Sequence, residues 1–149
     1  MARRYAAIGT DTNTASETQF VITSAATVRP AIYDILIGSS ATPADNSFLI
    51  RLKRFTAAGT TTAFTPVALD PADPAALTAA GFNATVEPTY TANAFLLDIP
   101  GNQRASIRWI AAPGGELRMP STAANGIGGF SQTVGGSAVA MNYTVHFEE

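Results

Sequence analysis

Few side chains in the chain could perform catalysis. His146 is the single histidine and cysteine is absent, so thiol catalysis, disulfides and a multi-histidine metal site are excluded. A hydrolytic triad would need a serine nucleophile, but no G-x-S-x-G motif occurs. His146 also falls on the polar side of the predicted last strand, which favours a solvent or interface position. We therefore predict no enzyme activity, with a hydrolase as a disfavoured alternative.

Acidic and glycine-rich segments could bind ions or phosphates. Asp70 and Asp73, with a further acidic residue, are candidates for a calcium site or a glycosidase pair, but no D-x-D-x-D-G pattern is present. The Asp-Pro-Ala-Asp-Pro run that contains them is typical of a turn followed by a helix N-cap. Gly126 to Gly129 lacks the Lys-Ser or Lys-Thr of a phosphate-binding loop. The sequence predicts no metal, no cofactor and no small-molecule substrate.

The charge balance argues against nucleic acid as a partner. Nine basic residues and eleven acidic ones give a formal net charge of −2. No segment approaches the ~20 apolar residues of a membrane span, so no membrane partner is predicted. Eight of the nine bases are arginine, which suits bidentate contacts in protein interfaces. The basic side chains predicted to contact protein are Arg3, Arg4, Arg51 and Lys53.

The segment Phe48 to Phe55 is the strongest predicted strand. Phe48, Ile50 and Leu52 alternate with Leu49, Arg51 and Lys53, so the first three should point into a core while Arg51 and Lys53 face outward. Arg54 and Phe55 break this pattern, which predicts a bulge or the end of the strand.

The remaining segments predict an all-β protein with one short helix near residues 73–80. Further strands are expected at residues 5–8, 17–23, 31–37, 64–69, 84–91, 94–99, 104–110 and 138–147. The 84–91 and 94–99 strands should form a hairpin, and residues 112–136 should form a long connection that serves as a contact surface. Strands separated by turns favour an antiparallel two-sheet β-sandwich, jelly-roll-like, with an immunoglobulin-like sandwich as the alternative. We expect an arm and short edge strand at residues 1–10 and a single sandwich domain at 11–149.

Three segments together carry a resemblance to a known family. The first is 49–54 with Gly59-Thr60 and 65–71, the second is 113–117 followed by Pro120 and 123–126, and the third is 145–149. In this order they resemble small capsid decoration (cement) proteins of tailed bacteriophages. That resemblance implies a β-sandwich or jelly-roll domain, commonly trimeric, on the outside of the capsid.

The resemblance implies a structural virion protein. Such a protein would bind the major capsid protein, cement neighbouring subunits as a homotrimer, and reach the capsid exterior after synthesis in the host bacterial cytoplasm. The alternative function is an adhesive or carbohydrate-binding β-sandwich module. The candidate interface residues are Arg3, Arg4, Tyr5, Arg51, Lys53, Asn125 and Phe130.

Overall fold

The computed structural model describes residues 2–149, which contain twelve β-strands and no helix. The strands are β1 (Arg4–Thr12), β2 (Glu17–Thr23), β3 (Ala31–Gly38), β4 (Ser47–Ala57), β5 (Thr60–Phe64), β6 (Val67–Ala68), β7 (Ala79–Val86), β8 (Thr89–Asn102), β9 (Ile107–Ile110), β10 (Leu117–Arg118), β11 (Gly126–Val134) and β12 (Ala140–Glu148).

The strands form two antiparallel sheets. Sheet A has the order β10-β3-β12-β1-β6, and β9 also pairs with β3. Sheet B has the order β5-β7-β2-β11-β4-β8. The inner faces of the two sheets supply one hydrophobic core. The predicted all-β, two-sheet β-sandwich is confirmed.

The core follows from period-two alternation on the strands. In β12, Met141, Tyr143, Val145 and Phe147 are buried while the residues between them are partly exposed. In β4, Phe48, Ile50 and Leu52 are buried as predicted. Complete burial of each such large side chain contributes about 1.5–3 kcal/mol to folding.

The predicted helix near residues 73–80 is wrong. Ala79 and Ala80 begin β7, whose residues pair with β2, and the preceding residues are irregular. The backbone N–H groups of Leu77 and Thr78 donate to the Glu149 carboxylate at 2.9 and 3.0 Å. These hydrogen bonds to Glu149 pair the two backbone N–H groups without a helix. A helix of only two turns also has little stability of its own.

The predicted division at residue 10 does not follow a structural boundary. Residues 4–12 form one strand that pairs along its whole length with β12. Tyr5 and Ala6 also pair with β6, so the start of β1 is not at the edge of sheet A. Tyr5 is fully buried, and its ring stacks on Phe147 with centroids 5.6 Å apart. The N-terminal segment is therefore part of the sandwich from residue 4 onward.

The predicted 112–136 connection and the predicted 84–99 hairpin are also different in the structure. The first contains β11, an interior strand of sheet B between β2 and β4. The glycines of β11 do not give the hydrophobic alternation that predicts a strand. They are needed here because a Cβ on Gly128 would collide with the Tyr90 ring and a Cβ on Gly129 with the Phe20 ring. The second is not a hairpin, because β8 runs continuously from Thr89 and pairs with β4 through several register shifts.

One end of the core is polar. Asp11, Asn13, Gln19 and Ser131 are buried, and each has a side-chain atom with no hydrogen-bond partner among the described residues. Gln19 Oε1 accepts a hydrogen bond from Tyr143 Oη at 3.1 Å. Burial, helped by the nearby Glu17 and Glu87 carboxylates and opposed by the Thr12 N–H, raises the pKa of Asp11 to about 6.

The buried Asp11 carboxyl should make the stability of the fold depend on pH. The pKa of Asp11 is about 6 in the folded chain, above the ordinary 3.8, so the protonated carboxyl favours the folded state. This contribution to stability is fully present below pH 3.8 and is lost as the pH rises through about 6. We expect the free energy of unfolding to fall by up to about 3 kcal/mol over that range. Asp11→Asn should flatten the dependence in denaturant melts, whereas Asp70→Asn, on an exposed turn, should not. An unchanged pH slope in Asp11→Asn would contradict this assignment.

Candidate functional site

The outer side of sheet B carries a cluster of aromatic rings around the sole lysine. Lys53 Nζ lies 4.1 Å from the centroid of the Tyr90 ring and 4.2 Å from that of Phe130. Tyr90 meets both Phe130 and Phe55 edge to face, at 5.7 and 6.4 Å. We call Lys53, Phe55, Tyr90 and Phe130 the sheet B cluster. A cation enclosed by two rings is stabilised by their quadrupoles.

The alternation of β4 places these groups together. Lys53 and Phe55 pair with Gly128 and Gly126 of β11, and those glycines leave room for the Tyr90 and Phe55 rings. Arg54 points to the inner side, where it donates to the Arg118 carbonyl of sheet A at 2.8 Å. The predicted bulge is present in the pairing of β4 with β8, which shifts register between Leu52 and Ala57, while the strand itself continues to Ala57.

A hydrogen-bond network holds the sheet B cluster in place. The buried Thr18 donates its N–H to Glu87 at 2.9 Å and its hydroxyl to the same carboxylate, and the Tyr90 hydroxyl lies 2.6 Å from Thr18 Oγ1. Burial raises the pKa of Tyr90. Burial, with the Arg51 charge, lowers the pKa of Lys53. The polar groups of this cluster are thus engaged within the chain.

Arg51 is engaged in the same way. Its guanidinium donates two hydrogen bonds of 2.7 Å to the Asp98 carboxylate and lies 4.6 Å from the Phe95 ring centroid. The hydrogen bonds from Arg51 hold the pKa of Asp98 below its usual value. The structure therefore brings together three predicted interface residues, Arg51, Lys53 and Phe130. The charged groups of Arg51 and Lys53 already contact side chains of the same chain.

The outer side of sheet A is different, because apolar side chains are exposed on it. We call this outward side of β1, β3, β6, β9 and β12 the sheet A face. Five aliphatic side chains on or beside it are 42–61% exposed, namely Ile8, Leu36, Val67, Leu69 and Ile110. Strand pairing places four of them, all but Leu69, in two rows across the sheet: Val67, Ala6, His146, Asp34 and Ile110, then Ile8, Thr144, Leu36 and Arg108. The sheet A face therefore combines half-exposed aliphatic side chains with polar and charged ones, a mixture that suits contact with another protein.

His146 and Asp34 lie in the middle of the sheet A face. His146 Nδ1 is 3.0 Å from Asp34 Oδ2, and Arg108 donates two hydrogen bonds to the same carboxylate at 3.0 and 2.7 Å. The Arg108 hydrogen bonds lower the pKa of Asp34 against the opposing effect of burial, and His146 adds to the lowering. Within residues 2–149 no serine or threonine hydroxyl hydrogen-bonds to His146, so the arrangement lacks the nucleophile that a triad requires.

The other predicted interface residues do not form one surface, although Arg3 and Arg4 line the same cleft. Arg4 is on the sheet A face, 5.2 Å from the Tyr33 ring centroid. Arg3 is beside Asp73, with Nε and Oδ1 3.8 Å apart. Asn125 is in the turn before β11, where its carbonyl accepts hydrogen bonds from the N–H and hydroxyl of Ser24. Tyr5 is buried in the core and cannot contact a partner in this conformation.

Sequence reasoning missed the sheet A face because its residues lie in predicted strands. Ile35, Leu36 and Ile37 form one apolar run in the predicted 31–37 strand, but in the structure only the first and last are buried. The run itself could have indicated an apolar outer face, because three consecutive apolar residues in a strand place apolar side chains on both sides of the sheet. One of those sides is uncovered here.

Comparisons with known proteins give no assignment. No protein-family model, curated protein or solved structure matches the chain. Across residues 2–149, no cluster of three or more histidine, cysteine or acidic side chains is arranged to bind a metal ion. No helix long and apolar enough to cross a membrane occurs in that range.

The sheet B cluster should contribute to stability. Lys53→Ala removes the ammonium from between two rings together with its packed methylene stem, so we expect the free energy of unfolding to fall by about 1–2 kcal/mol. Arg29→Ala is the matched control, since Arg29 is exposed and outside any strand, and should change stability by less than about 0.5 kcal/mol. Urea denaturation measures both, and equal effects would contradict a role for the ring contacts.

Proposed function

We propose that the chain is a structural virion protein that binds the outside of a tailed-phage capsid and cements neighbouring major capsid subunits. The observation that carries this proposal is the set of half-exposed aliphatic side chains on the sheet A face, which includes Ile8 and Leu36. Burying such a surface against another protein is favourable by about 25 cal/mol per Å² of apolar area. The resemblance of the three sequence segments supplies the identity of the partner.

The proposed action is mechanical. A protein that binds the assembled shell and not free subunits stabilises the shell by mass action. An interface of ~1,600 Å² per contact is typical of stable protein complexes. The resemblance also favours a homotrimer located on the capsid exterior, with synthesis in the host bacterial cytoplasm. Size-exclusion chromatography with light scattering measures the oligomeric state.

An adhesive or carbohydrate-binding module is the second candidate. Sugar recognition by a flat sheet face would use exposed aromatic rings. Among the described residues, Phe95 is the one aromatic side chain in the set of large, strongly exposed apolar residues, and Arg51 lies over it. The exposed surface is otherwise aliphatic, which favours a protein partner over a glycan.

Capsid binding should depend on the sheet A face. Purified protein should co-sediment with expanded, undecorated capsids assembled from the major capsid protein of the same phage, and it should raise their resistance to heat. Ile8→Glu places a charge in the aliphatic row and should weaken binding by about tenfold or more. Leu77→Glu, at a comparably exposed leucine outside the strands, should bind like the wild type.

Two outcomes would contradict the proposal. Failure of the wild-type protein to sediment with any capsid state would exclude capsid binding. Equal binding by Ile8→Glu and the wild type, with both folded by circular dichroism, would exclude the sheet A face as the contact.

A further inference from the structure

Three arginines lie at or beside the exposed aliphatic side chains of the sheet A face. Strand pairing places Arg4, Glu148, Ala31 and Arg118 in one row across β1, β12, β3 and β10, at one end of that face. Arg108 lies on β9, at the side of the same face, opposite Leu36. We call Arg4, Arg108 and Arg118 the arginine rim.

The charges of the rim are arranged with the cations outermost. The three guanidinium side chains are 51–62% exposed, whereas the carboxylates that approach them, Asp34, Glu116 and Glu148, are 5–19% exposed. Opposite charges are therefore present in equal number, but a partner approaching the sheet A face meets the positive ends first. Because field strength falls with distance and with screening by water, the outermost charges dominate what the partner experiences.

The rim arginines also retain unused hydrogen-bond donors, although Arg108 already donates two hydrogen bonds to Asp34 at 3.0 and 2.7 Å and keeps three of its five N–H groups. Within residues 2–149, Arg4 donates no hydrogen bond and lies 4.0 Å from Glu148. Arg118 reaches Glu116 at 3.4 Å and Glu148 at 3.6 Å through the same nitrogen. A guanidinium presents five N–H donors in a planar fork that matches a carboxylate. Free forks on a protein-binding face can therefore pair with carboxylates of a partner.

We infer that the surface docking on the sheet A face is an aliphatic protein surface flanked by carboxylates, which pair with Arg4, Arg108 and Arg118. This inference rests on the proposed function, since it specifies the chemistry of the capsid surface that the face contacts. The exposed aliphatic side chains contribute apolar burial to the contact, and the rim charges select and orient the partner.

Nucleic acid fits the same surface less well. A phosphate backbone needs many cations along its path, whereas the rim has three and encloses apolar rows. The chain also has a net charge of −2, which opposes binding of a polyanion. A protein surface that carries both aliphatic side chains and carboxylates can pack against the aliphatic residues and pair with the arginines.

The test is the salt and charge dependence of capsid binding. Raising NaCl from about 0.05 M to about 0.5 M should weaken wild-type binding by about tenfold, since rim charges are screened. Arg4→Gln and Arg118→Gln should each weaken binding at low salt by about two- to fivefold and reduce the salt dependence. Arg29→Gln is the matched control and should bind like the wild type. Converting capsid carboxylates to neutral amides with a carbodiimide and glycinamide should have an effect comparable to high salt.

The outcomes separate this inference from the proposed function. Salt-independent binding, with both rim variants equal to Arg29→Gln, would overturn the carboxylate partner while leaving capsid binding intact. Displacement of the protein from capsids by a short single-stranded RNA at stoichiometric concentration would also overturn it, in favour of nucleic acid. Two- to fivefold weaker binding by Arg4→Gln and Arg118→Gln, with unchanged melting temperatures and wild-type binding by Arg29→Gln, would support the carboxylate partner.

Discussion

The fold depends on aromatic rings that join the two sheets. Phe20 of sheet B packs against Tyr143 of sheet A with ring centroids 5.5 Å apart. The Phe82 ring of sheet B lies where a Cβ of Gly9 in sheet A would be, so the backbone of β1 approaches it closely. These contacts fix the spacing of the sheets, and interiors packed at this density transmit any change in shape. Because successive side chains of a strand point to opposite sides, the choice of inward residues also determines which residues face outward on both sheets.

Much of the architecture was predictable because alternation is a local signal. The residues Phe48, Ile50 and Leu52, and the alternating residues of β12, were assigned to the core correctly from sequence. The strand β11 was not predictable in that way, because its glycines give no hydrophobic pattern and are required by rings from β2 and β8. The false helix at residues 73–80 has the same origin: capping residues and alanines favoured it locally, while pairing with β2 and the Glu149 carboxylate favoured an extended chain.

The candidate interface could be predicted only in part. Sequence indicates that Arg4 and Arg51 are exposed cations, but not which of them already has a partner. The structure separates the two, since the Arg51 guanidinium donates two short hydrogen bonds to Asp98, whereas the Arg4 guanidinium donates none among the described residues and lies 4.0 Å from Glu148. Ile8 and Leu36 have the residue types of a core, and only the absence of a third layer over sheet A makes them surface residues. Such information lies in the tertiary arrangement of the strands.

The enclosure of Lys53 has a practical consequence for mapping contacts of this protein. Cross-linking reagents that react with lysine amines would find the sole lysine side chain between two rings, with its ammonium turned towards Tyr90 and Phe130. Lysine cross-links would then report only that one amine on the outer side of sheet B, and would carry no information about the sheet A face. The lack of native cysteine offers a better route, because a single cysteine introduced among exposed positions of β1 or β3 would be the one thiol in the chain. Thiol-directed probes could therefore report contacts at a chosen position without competing labels.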